Sequence, residues 1–220
     1  MLTQVQWTHR LTFVAAFVLL ASLCNLADAS EWQVRDKTDG IKIETRETRG
    51  SDIETIRGVM DVPYGHAQVT QTIFSMKAQR QYLVGLAELK MLKQTKNNKG
   101  EPERVVYQRN AYPGVSDRDM VIRFRLEKLS GKSGPGARII MKLMKNANRP
   151  HESSAVAMEA LDGSWTIKPL GDGRGSRIAY ICQSDVGGFL PDLFVNLGQV
   201  DNLKEMLTNL RMVLVSTLAQ

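Results

Sequence analysis

Few side chains in this 220-residue sequence have the types and spacing that catalysis requires. From residue 30 onward the histidines are His66 and His151, and the one cysteine is Cys182. The two histidines lack the paired spacing of a zinc site. The sequence also has no Gly-x-Ser-x-Gly turn for a nucleophilic serine, and no pattern that pairs the cysteine with a histidine. We therefore expect no metal and no cofactor, and we predict that Cys182, in the alternating segment RIAYIC, is a small core residue.

Two segments could bind anions, and each has a simpler interpretation. The segment GDGRGS at residues 171–176 has the glycines of a phosphate-binding loop. A nucleotide loop must open a helix whose amides face the phosphate, whereas this segment lies between two predicted strands, so we interpret it as a hairpin turn. Lys90, Lys93, Lys96 and Lys99 recur every three residues. This spacing predicts a solvated helix face or, alternatively, a surface that docks on anionic lipid.

Three charges precede an apolar strand in the segment YPGVSDRDMVIRFRL at residues 112–126. Asp117, Arg118 and Asp119 can satisfy the amides of the preceding turn and pair with one another at the rim of a sheet. Alternate residues behind them, from Met120 to Leu126, share the face that points toward the core. We therefore predict a structural role for the three charges and no catalytic role.

The first 29 residues have the pattern of a secretory signal peptide. His9 and Arg10 precede an apolar run of 13 residues at positions 11–23, and Ala-Asp-Ala at positions 27–29 forms a small-x-small cleavage site. The run is shorter than the roughly 20 residues that cross ~30 Å of hydrocarbon as a helix. We predict cleavage after Ala29 and a periplasmic or secreted protein. Its net charge of +6 favours anionic surfaces, and in such a compartment these are membranes and not nucleic acid.

Hydrophobic periodicity predicts one α+β domain over residues 30–220. The alternating segments IKIETRE and IETIRGVM predict two strands, and apolar spacings of three and four from Val69 to Leu92 predict two helices. Six alternating segments between residues 104 and 182 predict an antiparallel meander, because their turns are too short for parallel crossovers. The apolar stripe of residues 190–219 predicts a long C-terminal helix. We expect a curved sheet wrapped around this helix, with a filled core or a cavity between them.

Five segments occur in an order and spacing that resemble a known family. They are WQVRDKTDGIKIETRE, AELKML, YPGVSDRDMV, IKPL and DVGGFLPDLFVN. Together they resemble the START family, the steroidogenic-acute-regulatory-protein-related lipid-transfer domains, over nearly all of residues 31–220. The resemblance implies a helix-grip fold with an internal cavity, and non-enzymatic binding of one lipid. The alternatives are a cyclase-like or hydrolase-like helix-grip enzyme acting on a hydrophobic substrate, and a lipid-sensing module.

The resemblance implies that a ligand contacts the inward positions of the strands and of the last helix. The candidate cavity-lining residues are Val105, Tyr107, Arg109, Ile122, Phe124, Leu126, Met141, Leu143, Val156, Met158, Tyr180, Cys182, Leu193, Leu197 and Val200. Sterol-binding relatives resemble one another in having an acidic residue on the strand before the Arg-Asp pair and an arginine five positions after its Asp. Here these positions fall near Val105 and on Phe124, which predicts an apolar pocket that favours phospholipid or fatty-acyl lipid over sterol.

The polar side chain of Arg109 has two interpretations, an inward anchor for a lipid head group and a salt bridge at the rim. The expected partners are one lipid and, transiently, an anionic membrane surface, with no nucleic acid and a monomeric protein. We expect lipid exchange to require movement of the C-terminal helix or of the loop near Arg149 and Pro150.

Overall fold

The computed structural model describes residues 30–130, 134–149, 155–171 and 173–218. The predicted signal peptide and its cleavage site, together with Pro150, lie outside these residues. From Glu31 onward the chain forms one compact unit. Among the described residues, no helix combines the length and the apolar character needed to cross a membrane.

The described residues form ten strands and three helices. The strands are β1 (Gln33–Thr38), β2 (Ile41–Thr48), β3 (Ser51–Val62), β4 (Leu86–Lys96), β5 (Pro102–Asn110), β6 (Arg118–Leu129), β7 (Gly136–Leu143), β8 (Val156–Ala157), β9 (Ala160–Pro169) and β10 (Ser176–Asp185). The helices are α1 (His66–Phe74), α2 (Met76–Tyr82) and α3 (Asp192–Leu218). The strands make one sheet in the order β1-β2-β3-β10-β9-β7-β6-β5-β4. Neighbours along this path are antiparallel, and β8 adds a short parallel pair beside the start of β6.

The long helix α3 packs on the inner face of the sheet. Its C-terminal half has a buried stripe that joins the core of the sheet, made of Leu203, Met206, Leu207, Leu210, Val213 and Leu214. The helix approaches β3 closely at Gly58, where an added Cβ would lie 2.6 Å from a methyl carbon of Leu207. A glycine at this position is therefore required by the close packing of helix on strand. The predicted α+β helix-grip fold is confirmed.

One predicted helix is a strand. The leucines at residues 83–92 have helical spacing, but α2 ends at Tyr82 and the chain turns at Gly85, whose φ of +64° does not continue a helix. The segment AELKML therefore lies in β4. Strand β1 was not predicted, and residues 155–161, the described part of the predicted strand segment SSAVAMEAL, contribute the two residues of β8 and the start of β9.

The four lysines that suggested a helix face lie instead on or just after the edge strand β4. Lys90, Lys93, Lys96 and Lys99 are all exposed. Lysines on an edge strand oppose pairing with the sheet of another molecule, because such pairing would bring their charges together and remove them from water. This structural role explains the run of lysines, and no bound ligand is needed to explain it.

Candidate functional site

A cavity of about 550 Å³ lies between the inner face of the sheet and the N-terminal half of α3. Its apolar wall includes Ile56, Leu83, Met120, Ile122, Phe124, Met141, Met158, Leu161, Trp165, Leu203 and Met206. Trp165 packs against two tyrosine rings of the same wall, at 6.1 Å from Tyr82 and 4.6 Å from Tyr180 between ring centroids. The volume lies within the ~300–1,000 Å³ of pockets that hold one small ligand.

The cavity opens toward solvent on one side. We call this opening the mouth, and we define it by the exposed members of the lining, which are Val115, Phe194, Gly198, Asp201 and Glu205. Val115 belongs to the loop between β5 and β6, and the other four belong to α3. A ligand that enters the cavity must therefore pass between this loop and the start of the long helix.

A hydrogen-bonded polar network lies on the wall beside the mouth. Gln108 donates to Asn110 at 2.8 Å, and Asn110 donates to the hydroxyl of Tyr112 at 3.2 Å. Asn202 of α3 donates to the same hydroxyl at 3.2 Å. The network joins β5 and the β5–β6 loop to the helix beside the mouth through hydrogen bonds as well as by packing.

Arg118 connects the two segments on either side of the mouth. Its guanidinium is buried and donates to the carbonyl oxygens of Ser116, in the β5–β6 loop, and of Val186 and Gly187, before α3. Asp119 points to the outer face of the sheet, where it pairs with Arg149. The charges at the head of β6 therefore hold loops in place, which is a structural role.

Comparison with known proteins identifies the family. The START domain profile matches residues 23–212. The chain belongs to the START domain family. Members of this family bind lipids and other hydrophobic ligands.

Relatives of this START domain occur in bacteria and in humans. A protein of Pseudomonas aeruginosa described as uncharacterized is 26% identical over 204 residues, which cover 92% of this chain and 95% of the relative. The STAR-related lipid transfer protein of Xanthomonas axonopodis has a crystal structure that matches with a TM-score of 0.72 at 24% identity, over 82% of this chain and 97% of that chain. Human STARD10 matches with a TM-score of 0.73 at 14% identity, over 99% of this chain and 82% of that chain. At these identities the two structures establish the fold alone.

Six of the predicted site residues lie on the cavity wall of this START domain. They are Ile122, Phe124, Met141, Met158, Tyr180 and Cys182. They come from β6, β7, β10 and the segment between β8 and β9. Because Phe124 pairs with Met141 across β6 and β7, the wall is continuous at this point.

The predicted inward direction of three residues on β5 is corrected by the structure. Val105, Tyr107 and Arg109 lie on the outer face, and the cavity receives Gln108 and Asn110 from the alternate positions. Tyr107 donates to Asp119 on this outer face, at 3.3 Å. Arg109 forms an ion pair with Asp117 at 2.9 Å, so its rim interpretation is the one that the structure supports. Successive side chains of a strand point to opposite faces, so an error of one residue in the alternation assigns every side chain to the wrong face.

The other predicted residues lie around the cavity but outside its lining. Leu126, Leu143 and Val200 are half-buried against the core, and Val156 is half-buried beside Arg118 in the sheet. Leu197 is 61% exposed on the solvent side of α3. The side chain of Leu193 lies outside the described residues. Because α3 contacts the sheet mainly through its C-terminal half, the apolar spacing near its start does not indicate burial.

The residue opposite Phe124 in the sheet is a cation that the predicted apolar surroundings did not include, although it is not itself a lining residue of the cavity. Arg104, and not Val105, occupies the inward position that pairs with Phe124 across β5 and β6. Its guanidinium lies 3.9 Å from the ring centre of Phe74 and 5.3 Å from that of Phe124. The sequence-based prediction missed Arg104 because it assigned Val105 and Tyr107 to the interior, whereas Val106 is the apolar residue of β5 that points into the core.

Two titratable side chains on the wall are held neutral by burial. Burial raises the pKa of the Cys182 thiol to about 11, and it raises the pKa of the neighbouring Tyr180 well above its ordinary value. Both groups therefore stay protonated at neutral pH. The described residues contain no cluster of three or more His, Cys, Asp or Glu side chains that could bind a metal. The arrangement is suited to holding an apolar ligand.

Proposed function

We propose that this START domain is a non-enzymatic carrier that binds one lipid in its cavity and transfers it between membranes. The observation that carries the proposal is the apolar cavity of about 550 Å³ beneath α3, with its mouth at the helix start. Each methylene buried in such a cavity contributes roughly 0.8 kcal/mol to binding. The protonated Cys182 and Tyr180 support a binding role, since neither provides a nucleophile or a general base at neutral pH.

We propose an exported compartment, periplasmic or secreted, on the basis of the N-terminal sequence pattern. The protein would act there as a monomer and meet anionic membrane surfaces and not nucleic acid. The net charge of +6 and the exposed apolar side chains around the mouth support contact with such a surface. The mouth, and not the loop near Arg149, would open during exchange, because Arg149 lies on the outer face with Asp119.

The proposed ligand is a fatty-acyl lipid or a phospholipid in preference to a sterol. Phe124 stands where the family resemblance expects the arginine of sterol-binding relatives. Met120, Met141, Met158 and Met206 line the cavity, and flexible methionines adapt to a flexible chain better than to one rigid outline. These features support an acyl ligand.

Equilibrium binding of matched fluorescent probes tests this function. Delipidated protein is titrated with a fluorescent phospholipid, a fluorescent fatty acid and a fluorescent sterol that carry the same fluorophore. We expect saturable binding with one site per chain, and tighter binding of an acyl probe than of the sterol. Tighter sterol binding would contradict the proposed preference, and the absence of binding by any probe would contradict the carrier function.

A further inference from the structure

Arg104 is a buried cation with unused hydrogen-bonding capacity. Its side chain lies on the inner face of the sheet and is only 5% exposed. The nitrogens Nε and Nη2 have no hydrogen-bond partner in the part of the chain that the structure describes. Burial lowers the pKa of Arg104 to about 10, so the side chain is still a cation at neutral pH. The rings of Phe74 and Phe124 contact the guanidinium but leave these N–H donors without an acceptor. Buried donors without an acceptor are destabilising, which indicates that an acceptor outside the protein completes the site.

The two unpartnered nitrogens form one edge of the guanidinium. The same edge holds a carboxylate elsewhere in this protein, where Nε and Nη2 of Arg177 donate to the two oxygens of Asp61 at 2.8 Å each. Paired parallel hydrogen bonds of this kind match the planar geometry of a carboxylate. The free edge of Arg104 therefore fits a carboxylate better than a single hydroxyl.

Another unsatisfied polar atom lies on the cavity wall itself. Gln79 is 3% exposed and lines the cavity, and its amide nitrogen donates to the carbonyl oxygen of Ile73. Its Oε1 accepts no hydrogen bond from the described residues. Tyr82, which also lines the cavity, donates to the same carbonyl oxygen of Ile73. A water or a ligand group in the cavity would provide the donor that Oε1 lacks.

Arg104 is distant from the mouth. It precedes Asn110 by six positions on β5, which corresponds to roughly 20 Å along an extended strand. The polar network at the mouth is already hydrogen-bonded internally, from Gln108 to Asn202. The unsatisfied nitrogens of Arg104 therefore lie behind Phe124 of the cavity wall, at the end away from the mouth, and not where a head group would meet solvent.

We propose that Arg104 binds the carboxylate of a single-chain fatty acid, which lies with its acid group at the deep end and its hydrocarbon tail toward the mouth. This inference rests on the proposed lipid-carrier function and specifies the ligand class of the same cavity. Access to Arg104 requires the ring of Phe124 to turn, since Phe124 lies on the wall and covers the guanidinium.

A comparison of an acid with its alcohol tests the inference. Binding of hexadecanoate and hexadecan-1-ol is measured on the delipidated wild type and on Arg104→Met. We expect the wild type to prefer the acid by about tenfold or more, since a hydrogen bond to a charged group is worth ~1.5–3 kcal/mol. Arg104→Met should remove this preference and leave the affinity for the alcohol within about twofold, because the alcohol does not use the charge.

Two further variants separate ligand binding from structure. Arg104→Lys retains a cation without the two-nitrogen edge and should give an intermediate ratio of acid to alcohol affinity. Arg123→Met removes an arginine from the outer face of β6 and should behave as the wild type. An unchanged ratio in Arg104→Met would overturn the inference while leaving the carrier function standing. Failure of the wild type to bind either ligand would overturn both.

The charge state of the bound acid gives an independent readout. With hexadecanoate labelled with ¹³C at the carboxyl carbon, the carboxyl resonance reports its pKa in the complex. The neighbouring cation should hold this pKa lower in the wild type than in Arg104→Met. Equal pKa values would overturn the inference. Hexadecyl phosphate serves as a third ligand, and its binding more tightly than hexadecanoate would overturn the assignment to a carboxylate.

Discussion

At the scale of single residues, the buried carboxylate of Asp119 depends on a cation from another segment. Asp119 is fully buried, and Arg149 pairs with it. We expect Arg149→Met to lower the free energy of unfolding by about 3 kcal/mol, because it removes a cation that pairs with a fully buried carboxylate. Arg177→Met breaks the exposed pair with Asp61 and should cost less than about 1 kcal/mol. Urea unfolding of the two variants measures the difference, and equal losses would show that burial of Asp119 is not the decisive factor.

Cys182 gives a prediction about pH. Because burial raises the pKa of this thiol to about 11, the protonated form dominates below that pH in the folded protein. A chain that begins at residue 30 has no other cysteine, so modification reports Cys182 alone. We expect negligible reaction with iodoacetamide at pH 8 in the folded state and rapid reaction in urea. Rapid modification of the folded protein at pH 8 would contradict the assignment of Cys182 to the closed cavity wall.

The sequence correctly indicated some cavity residues, on β6, but its alternation on β5 led to residues being assigned to the wrong face of the sheet. On β6 the inward residues Ile122 and Phe124 are also the apolar ones, so alternation gave the correct face. On β5 the residues Val105 and Tyr107 point outward, where Tyr107 donates to Asp119 and Asp119 pairs with Arg149. Of the inward positions, Val106 is in the core, and Gln108 and Asn110 form a polar part of the cavity wall. A pattern of hydrophobicity cannot distinguish a polar cavity wall from a solvent face.

At the scale of elements, α3 has two halves with different packing. Residues 203–214 are anchored in the core, whereas Phe194 and Leu197, near the helix start, are 66% and 61% exposed. We expect backbone amides of residues 195–201 to exchange hydrogen at least about tenfold faster than those of residues 206–214, since opening of the first half breaks few buried contacts. Hydrogen exchange measured by NMR tests this. Uniform protection along the helix would argue against opening of the mouth by movement of its N-terminal half.

The order of elements was predictable except for strand β1, the two-residue strand β8 and the segment at Gly85, where one residue changes the conformation of the chain. The leucines of residues 83–92 satisfy helical spacing, but Gly85 adopts a positive φ and its neighbour Tyr112 leaves no room for a side chain, with a Cβ contact of 2.7 Å. The chain then continues as the edge strand β4. Gly85 and Tyr112 are far apart in the sequence, so the hydrophobic periodicity of a short segment gives no information about their contact.

At the scale of the whole molecule, exposed apolar side chains lie near the mouth. Phe189, in the connection before α3, is fully exposed, and Leu197 is largely exposed. We expect Phe189→Asp and Leu197→Asp to slow transfer of a fluorescent fatty acid between phosphatidylglycerol-containing vesicles several-fold, because they oppose insertion at the membrane interface. Binding of the fatty acid without vesicles should not change.

A matched control lies on the same helix. Val215 is half-exposed near the end of α3. Val215→Asp adds the same charge away from the mouth and should leave the transfer rate unchanged. Equal slowing by all three substitutions would show that net charge, and not the position of the apolar residues, controls transfer.

The central claim is that the cavity beneath α3 holds one lipid. Native mass spectrometry of the protein purified from the compartment in which it resides measures this directly, with the ligand identified after release. We predict a population of one lipid per chain, with the mass of a fatty-acyl lipid. A chain that carries no lipid under conditions that preserve the fold, or one that carries a sterol, would contradict the account.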